Sequence, residues 1–169
     1  MDFFIFSNKN AESLLLNASC SGRLRAHYNL HTSSDEAVQR VVIGLHNGTY
    51  IPPHYHAVNS QWELFLVCSG EVDLFIFDMS GFLLKKIPLS TDSGNYFAQI
   101  APNTCHTLVC RSDSALILEI KQGPFDTAKA KVIPEWSYPE EYSLVSREQI
   151  LTMLGDMREG ERFCTPPSL

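Results

Sequence analysis

The sequence predicts a mainly β fold, a sandwich or barrel with a short helix near each end. Short segments rich in Val, Ile, Leu and Phe recur between residues 23 and 121, too brief for helices and right for strands. Turn signals separate them at Asn47-Gly48, Ser69-Gly70, Ser80-Gly81, Asp92-Ser93-Gly94 and Pro102-Asn103. Helix signals occur only outside that region. Many short strands at this spacing bury their apolar faces by pairing two sheets or closing one.

From the N-terminus, Asn10 is the expected cap of a helix over 11–17 that closes near Gly22. Strands are expected at 23–30, 38–46, 49–56, 61–68, 71–78, 82–87, 96–101, 105–110 and 114–121. In the first, Arg23, Arg25, His27, Asn29 and His31 alternate with Leu24, Ala26, Tyr28 and Leu30, one apolar face against one rich in donors. Leu64 to Cys68 and Leu74 to Phe77 are apolar on both faces and need cover on both. If Glu63 points inward, Phe65 and Val67 follow it, and Trp62, Leu64 and Leu66 face out. Packing within the monomer or a second copy can supply that cover, and the commonness of cyclic dimers favours a homodimer. Ser146-Arg-Glu-Gln149 reads as a capping box before a helix at 150–154, followed by a tail with Pro166-Pro167.

At 169 residues, with 44% hydrophobic and 19% charged content, the chain supports one core. Net charge is −6, and no Lys/Arg run reaches five residues, which disfavours nucleic acid and anionic membranes as partners. No stretch approaches the length of a membrane span, and Phe3 to Phe6 lacks a basic flank, so a cytoplasmic location is expected. Cys20, Cys68, Cys105, Cys110 and Cys164 are odd in number and scattered, which fits reduced thiols. Cys68 and Cys110 are expected in the core, and Cys105 should face away from its neighbour His106.

The chemistry concentrates in Gly48-Thr-Tyr-Ile-Pro-Pro-His54-Tyr-His56, in Glu63, and in His106. On extended chain His54 and His56 share a face, and Pro52-Pro53 stiffen the approach to them. Three imidazoles and a carboxylate suit one borderline divalent ion (Fe, Mn, Ni, Co or Zn) at roughly 2.0–2.3 Å and leave positions open. His27, His31 and His46 are the substitute ligands. Arg25, His27 and Asn29, with Arg40 and Lys121, are candidates to bind carboxylate or phosphate oxygens, and Tyr50 and Gln61 to support the ligands or touch substrate.

The spacing Gly48-x5-His54-x-His56-x6-Glu63-x6-Gly70 resembles the first cupin motif, with a longer His-to-Glu gap than usual. In the second motif His106 holds its place, and Asn103 stands where glycine is usual, Asn being tolerant of left-handed backbone. A closer resemblance runs from about residue 10 to 136. Arg23 to His31, Asp35 to Arg40, Gly48 to His54, Trp62 to Phe65, His106 to Cys110 and Glu119 to Phe125 are similar to the WbuC-type cupin metalloproteins. It implies a cupin-type double-stranded β-helix, or jelly-roll barrel, as a single domain over 1–136 with a bound metal, and 137–169 as a C-terminal extension. It also implies a setting among genes for bacterial surface polysaccharide, without a settled reaction.

Three functions are therefore open: a Lewis-acid metalloenzyme acting on a small polar or anionic metabolite such as a sugar or nucleotide-sugar intermediate, a non-haem iron oxygenase, and a metal-dependent binding or regulatory cupin without turnover.

Overall fold

The computed structural model describes residues 3–126, 131–140 and 145–163. The elements run α1 (Asn8–Cys20), β1 (Arg25–Asn29), β2 (Val38–His46), β3 (Glu63–Ser69), β4 (Glu71–Phe77), β5 (Leu83–Ser90), β6 (Phe97–Ile100), β7 (Cys105–Cys110), β8 (Ser114–Gln122) and α2 (Arg147–Asp156). They form two antiparallel sheets, one ordered β1-β2-β8-β3-β6 and the other β5-β4-β7. The mainly β fold with a helix near each end is as the sequence predicts.

Several details differ. The first helix starts three residues earlier, with Ser7 as its cap. Asn10 is the third helical residue, and its side-chain oxygen accepts the Ser7 N–H at 2.9 Å, half of a capping box. Residues 49–56 do not form a strand. They contribute only the isolated bridges His54↔His106 and Tyr55↔Val132, because Pro52 and Pro53 carry no N–H for a ladder. The second helix extends to both sides of the expected 150–154, with Ser146 Oγ accepting the Gln149 N–H at 3.2 Å.

Cys68 is exposed rather than in the core, since strand alternation from Val67 places it on the outer face of β3 with Leu64 and Leu66. Cys110 is buried, and Cys105 packs with Phe75 and Phe77 on the face opposite His106. Cys164 and the Pro166-Pro167 tail lie outside the described residues. Asn103 adopts the expected left-handed backbone, with φ 59°. Gly70, φ 75°, is required twice over, because a Cβ there would stand 2.3 Å from the Ser114 carbonyl oxygen.

The main core lies between the sheets, with Ile43, Leu45, Phe65, Val67, Leu74, Leu108 and Ile117 among its members. The outer face of β4 is covered by the chain itself. Phe75 and Phe77 pack against Tyr138, Ile150, Leu154 and Phe163, so that α2 and the segments beside it meet the need for cover on that strand. Each such large side chain contributes about 1.5–3 kcal/mol on burial. Helix α1 covers the outer face of β2 and part of β8 through Leu14, against Val42 and Leu116.

Inside the five-stranded sheet, the inward rows change character along the strands. Ile43 stands opposite Ile117, then Val41 opposite Glu119, then Gln39 opposite Lys121, while β3 sets Phe65 beside Glu119 and Glu63 beside Lys121. One end of the barrel is thus packed with hydrocarbon, and the other opens into a polar cavity.

Candidate metal centre

That cavity measures about 510 Å³, and His54, His56, Glu63 and His106 all line it. Two come from the proline-stiffened segment, Glu63 from the start of β3 and His106 from β7. The antiparallel bridge with His54 N–H to His106 carbonyl at 3.0 Å and the reverse bond at 2.8 Å brings the two ligand segments together. Potential ligand nitrogens of His54, His56 and His106 lie within 4.8 Å of one another, all three residues buried. Glu63 completes the group, with Oε1 at 2.9 Å from His56 Nε2 and Oε2 at 3.2 Å from His106 Nε2.

The ring nitrogens carry the clearest signal. His54 Nδ1 lies 2.9 Å from the Pro52 carbonyl, and His106 Nδ1 lies 2.9 Å from the Thr104 carbonyl. A carbonyl only accepts, so each Nδ1 holds the proton and each Nε2 keeps its lone pair for the cluster interior. Neither ring nitrogen of buried His56 makes a well-aligned hydrogen bond, despite the short Glu63 contact. A buried imidazole without such a bond is poorly satisfied by protein alone. Burial holds His54 well below the usual imidazole range, with His106 adding to it, and burial likewise lowers His106. Burial alone would raise the Glu63 carboxyl, but its close approach to His56 and the attraction of His106, His56 and Lys121 outweigh it and bring it down. Neutral imidazoles beside an ionised carboxylate are the protonation state a divalent ion requires. The donor set fits a metal.

Of the residues expected to meet substrate, Arg25, His27, Asn29 and Lys121 line the cavity. Arg25, only 6% exposed, is already engaged, donating to Glu140 Oε2 at 2.7 Å and to the Tyr50 carbonyl at 3.0 Å. Lys121 lies 2.9 Å from Glu119 Oε1. Arg40, Tyr50 and Gln61 are outside the wall: Arg40 pairs with Glu36, the Tyr50 hydroxyl donates to the Tyr138 carbonyl at 2.8 Å, and Gln61 is buried in the turn before β3. Among the substitute ligands, His27 and His31 line the cavity, His31 Nδ1 lies 2.9 Å from the Arg40 carbonyl, and His46 Nε2 lies 3.0 Å from the Leu15 carbonyl.

Three charged groups at or beside the cavity escaped the sequence reading. Glu119 was readable from strand alternation, since it shares the inward face with Ile117 and Lys121. Glu140 and Lys131 had no local signal.

These features define a cupin-type barrel with a buried three-histidine cluster that can hold a metal ion, Glu63 beside it. A family model described as "Domain of unknown function (DUF6016)" matches residues 6–89. No curated protein matches by sequence. Among solved structures, the chain is similar to an oxalate oxidase in complex with the substrate analogue glycolate, with 15% identity and a TM-score of 0.52 over 68% of this chain. It is also similar to CapF with the inhibitor 3-isopropenyl-tropolone, with 16% identity and a TM-score of 0.52 over 65% of this chain. The chain spans 57% of the first and 34% of the second, and likeness at this identity concerns the fold alone.

Proposed function

We propose that this chain is a metal-dependent cupin protein that holds one divalent ion through His54, His56, Glu63 and His106 and acts on a small polar or anionic metabolite. The observation that carries this reading is the pair of Nδ1 hydrogen bonds to Pro52 and Thr104, which leaves two Nε2 lone pairs directed to one point beside a carboxylate. Such an ion supplies Lewis acidity toward a carbonyl or hydroxyl oxygen. The chain's own groups supply the rest. Phe65, Val41 and Leu108 form an apolar floor that limits water, and Glu119 and Lys121 form a proton donor and acceptor pair on the wall. Burial alone would lower the Lys121 amine, but Glu119 and Glu63 outweigh it and keep Lys121 charged. The resemblance to WbuC-type cupins supports a sugar or nucleotide-sugar intermediate of bacterial surface polysaccharide as the metabolite.

The same reading has the protein in the cytoplasm and working as a homodimer. Unpaired cysteines among the described residues support the first. Leu64 and Leu66, half-buried, and Phe97, 60% exposed, support the second, lying on or beside the outer face of β3 away from α1.

Elemental analysis of natively purified protein, with titration of the apo protein by each of Fe, Mn, Ni, Co and Zn, tests the central reading. The expected result is one equivalent bound per chain, lost in His106→Ala. Failure of all five metals to bind overturns it.

A further inference from the structure

Among the described residues, the Lys and Arg side chains of the cavity wall are Arg23, Arg25, Lys121 and Lys131. Three are committed to carboxylates. Arg23 and Arg25 share Glu140 at 3.0 and 2.7 Å, and Lys121 pairs with Glu119. Lys131 has no carboxylate within salt-bridge distance among the described residues. Its place relative to the metal centre is set by backbone. The next residue, Val132, exchanges two hydrogen bonds with Tyr55, at 3.0 and 2.8 Å, and Tyr55 stands between the ligands His54 and His56. The backbone that carries Lys131 is therefore tied through a single bridge to the segment that carries His54 and His56.

We infer that Lys131 anchors an acidic group of the substrate at the cavity mouth, so that the molecule taken by the metal centre carries a second anionic group, a carboxylate or a phosphate. The inference rests on the metal-dependent reading above. A cation in a partly dry wall is poorly compensated unless an anion joins it. Loss of solvent around the amine, followed by repulsion from Arg25, draws Lys131 down to about 8, although much of the residue is exposed. Among the described residues the four bases face Glu63, Glu119 and Glu140, an excess of one positive charge that a bound divalent ion raises to three. An anion with one group at the ion and the other at Lys131 answers both charges. The role expected of Arg25 thus passes to a residue whose charge is not already satisfied.

The test uses the full chain loaded with cobalt(II), whose visible spectrum reports ligands reaching the ion whatever residue 131 is. Propionate carries one acidic group; the dicarboxylates from malonate to adipate, and 2-phosphoglycolate, carry two. The expected result is that at least one two-headed ligand binds wild type ten-fold or more tighter than propionate. Lys131→Met should erase that advantage and leave propionate binding unchanged, and Lys131→Arg should keep most of it. Whether a dicarboxylate or the phosphate gains more identifies the acidic group. Equal affinity of one- and two-headed ligands in wild type, or an advantage that survives in Lys131→Met, overturns the inference while leaving the metal reading standing. A cobalt spectrum indifferent to every ligand in both proteins removes the open metal site and the inference with it.

Discussion

The two ends of the cavity hold their polar groups by opposite means. At the metal end the imidazoles are neutral, and backbone carbonyls two residues before His54 and His106 fix their orientation. At the mouth, charges hold one another, Glu140 tying Arg23 and Arg25; between the two ends Glu119 ties Lys121, which also lies 3.9 Å from Glu63. Backbone anchors do not compete with a ligand, so the first end is pre-set for an ion. Side-chain ion pairs do compete, because any bound anion must share their cations. The first end can hold an ion, and at the second Arg23 and Arg25 are already paired with Glu140.

The largest expected effect lies at the metal end. His106→Ala should lower bound metal more than ten-fold while circular dichroism shows the fold retained, since the inter-sheet core does not depend on the ion. An ion at a hundred times its Kd stabilises by about 2.7 kcal/mol, and the variant should lose that increment in a melting experiment. Outright unfolding at room temperature on chelation would make the site structural and break the contrast.

At the mouth, Glu140→Gln leaves the buried Arg25 guanidinium without its counter-ion. Burial alone would raise the Glu140 carboxyl, but Arg25 and Arg23 outweigh it and hold it down at about 2, so the pair stays ionised through the neutral range. The expected cost is roughly 1–2 kcal/mol in urea unfolding, less than for a fully buried pair because solvent screens Glu140. Metal content should not change. A parallel loss of metal would mean that the two ends are coupled.

Acidification should separate them in a subtler way. His54 and His106 are held below the ordinary imidazole value of 6.5, chiefly by burial, so the unfolded chain takes up protons first. The stability they contribute is complete above about pH 6.5 and is lost as pH falls below it. Glu63, held below 4.5, adds a further loss in the acid range. Urea midpoints of metal-free protein between pH 8 and 5 should decline, and metal affinity should decline with them. A midpoint that rises on acidification would contradict the neutral-imidazole assignment.

The smallest effect belongs to Arg40→Ala. Its pairing with Glu36 is on the surface, where such pairs contribute about 0–1 kcal/mol, and neither metal nor anion binding should move.

Much of the metal end was legible in the chain because its determinants are local. Alternation placed His54 with His56 and turned Cys105 away from His106, and Pro52-Pro53 marked the stiff lead-in. The same prolines also removed the strand expected at 49–56, an effect that depends on which ladder the segment would have joined. The mouth was legible only in part. The donor face of β1 was visible, but not that Arg25 was already occupied.

The sequence by itself determined the β-rich class, the turn positions and the face shared by the ligands, since each depends on residues a few positions apart and on the fixed periods of extended chain. Tertiary structure alone decided which charges remain free. Arg25 meets Glu140 across 115 residues, and Lys131 reaches the cavity because Val132 bridges Tyr55. A charge's availability depends on every group within a few ångströms, and only the folded chain brings those groups together.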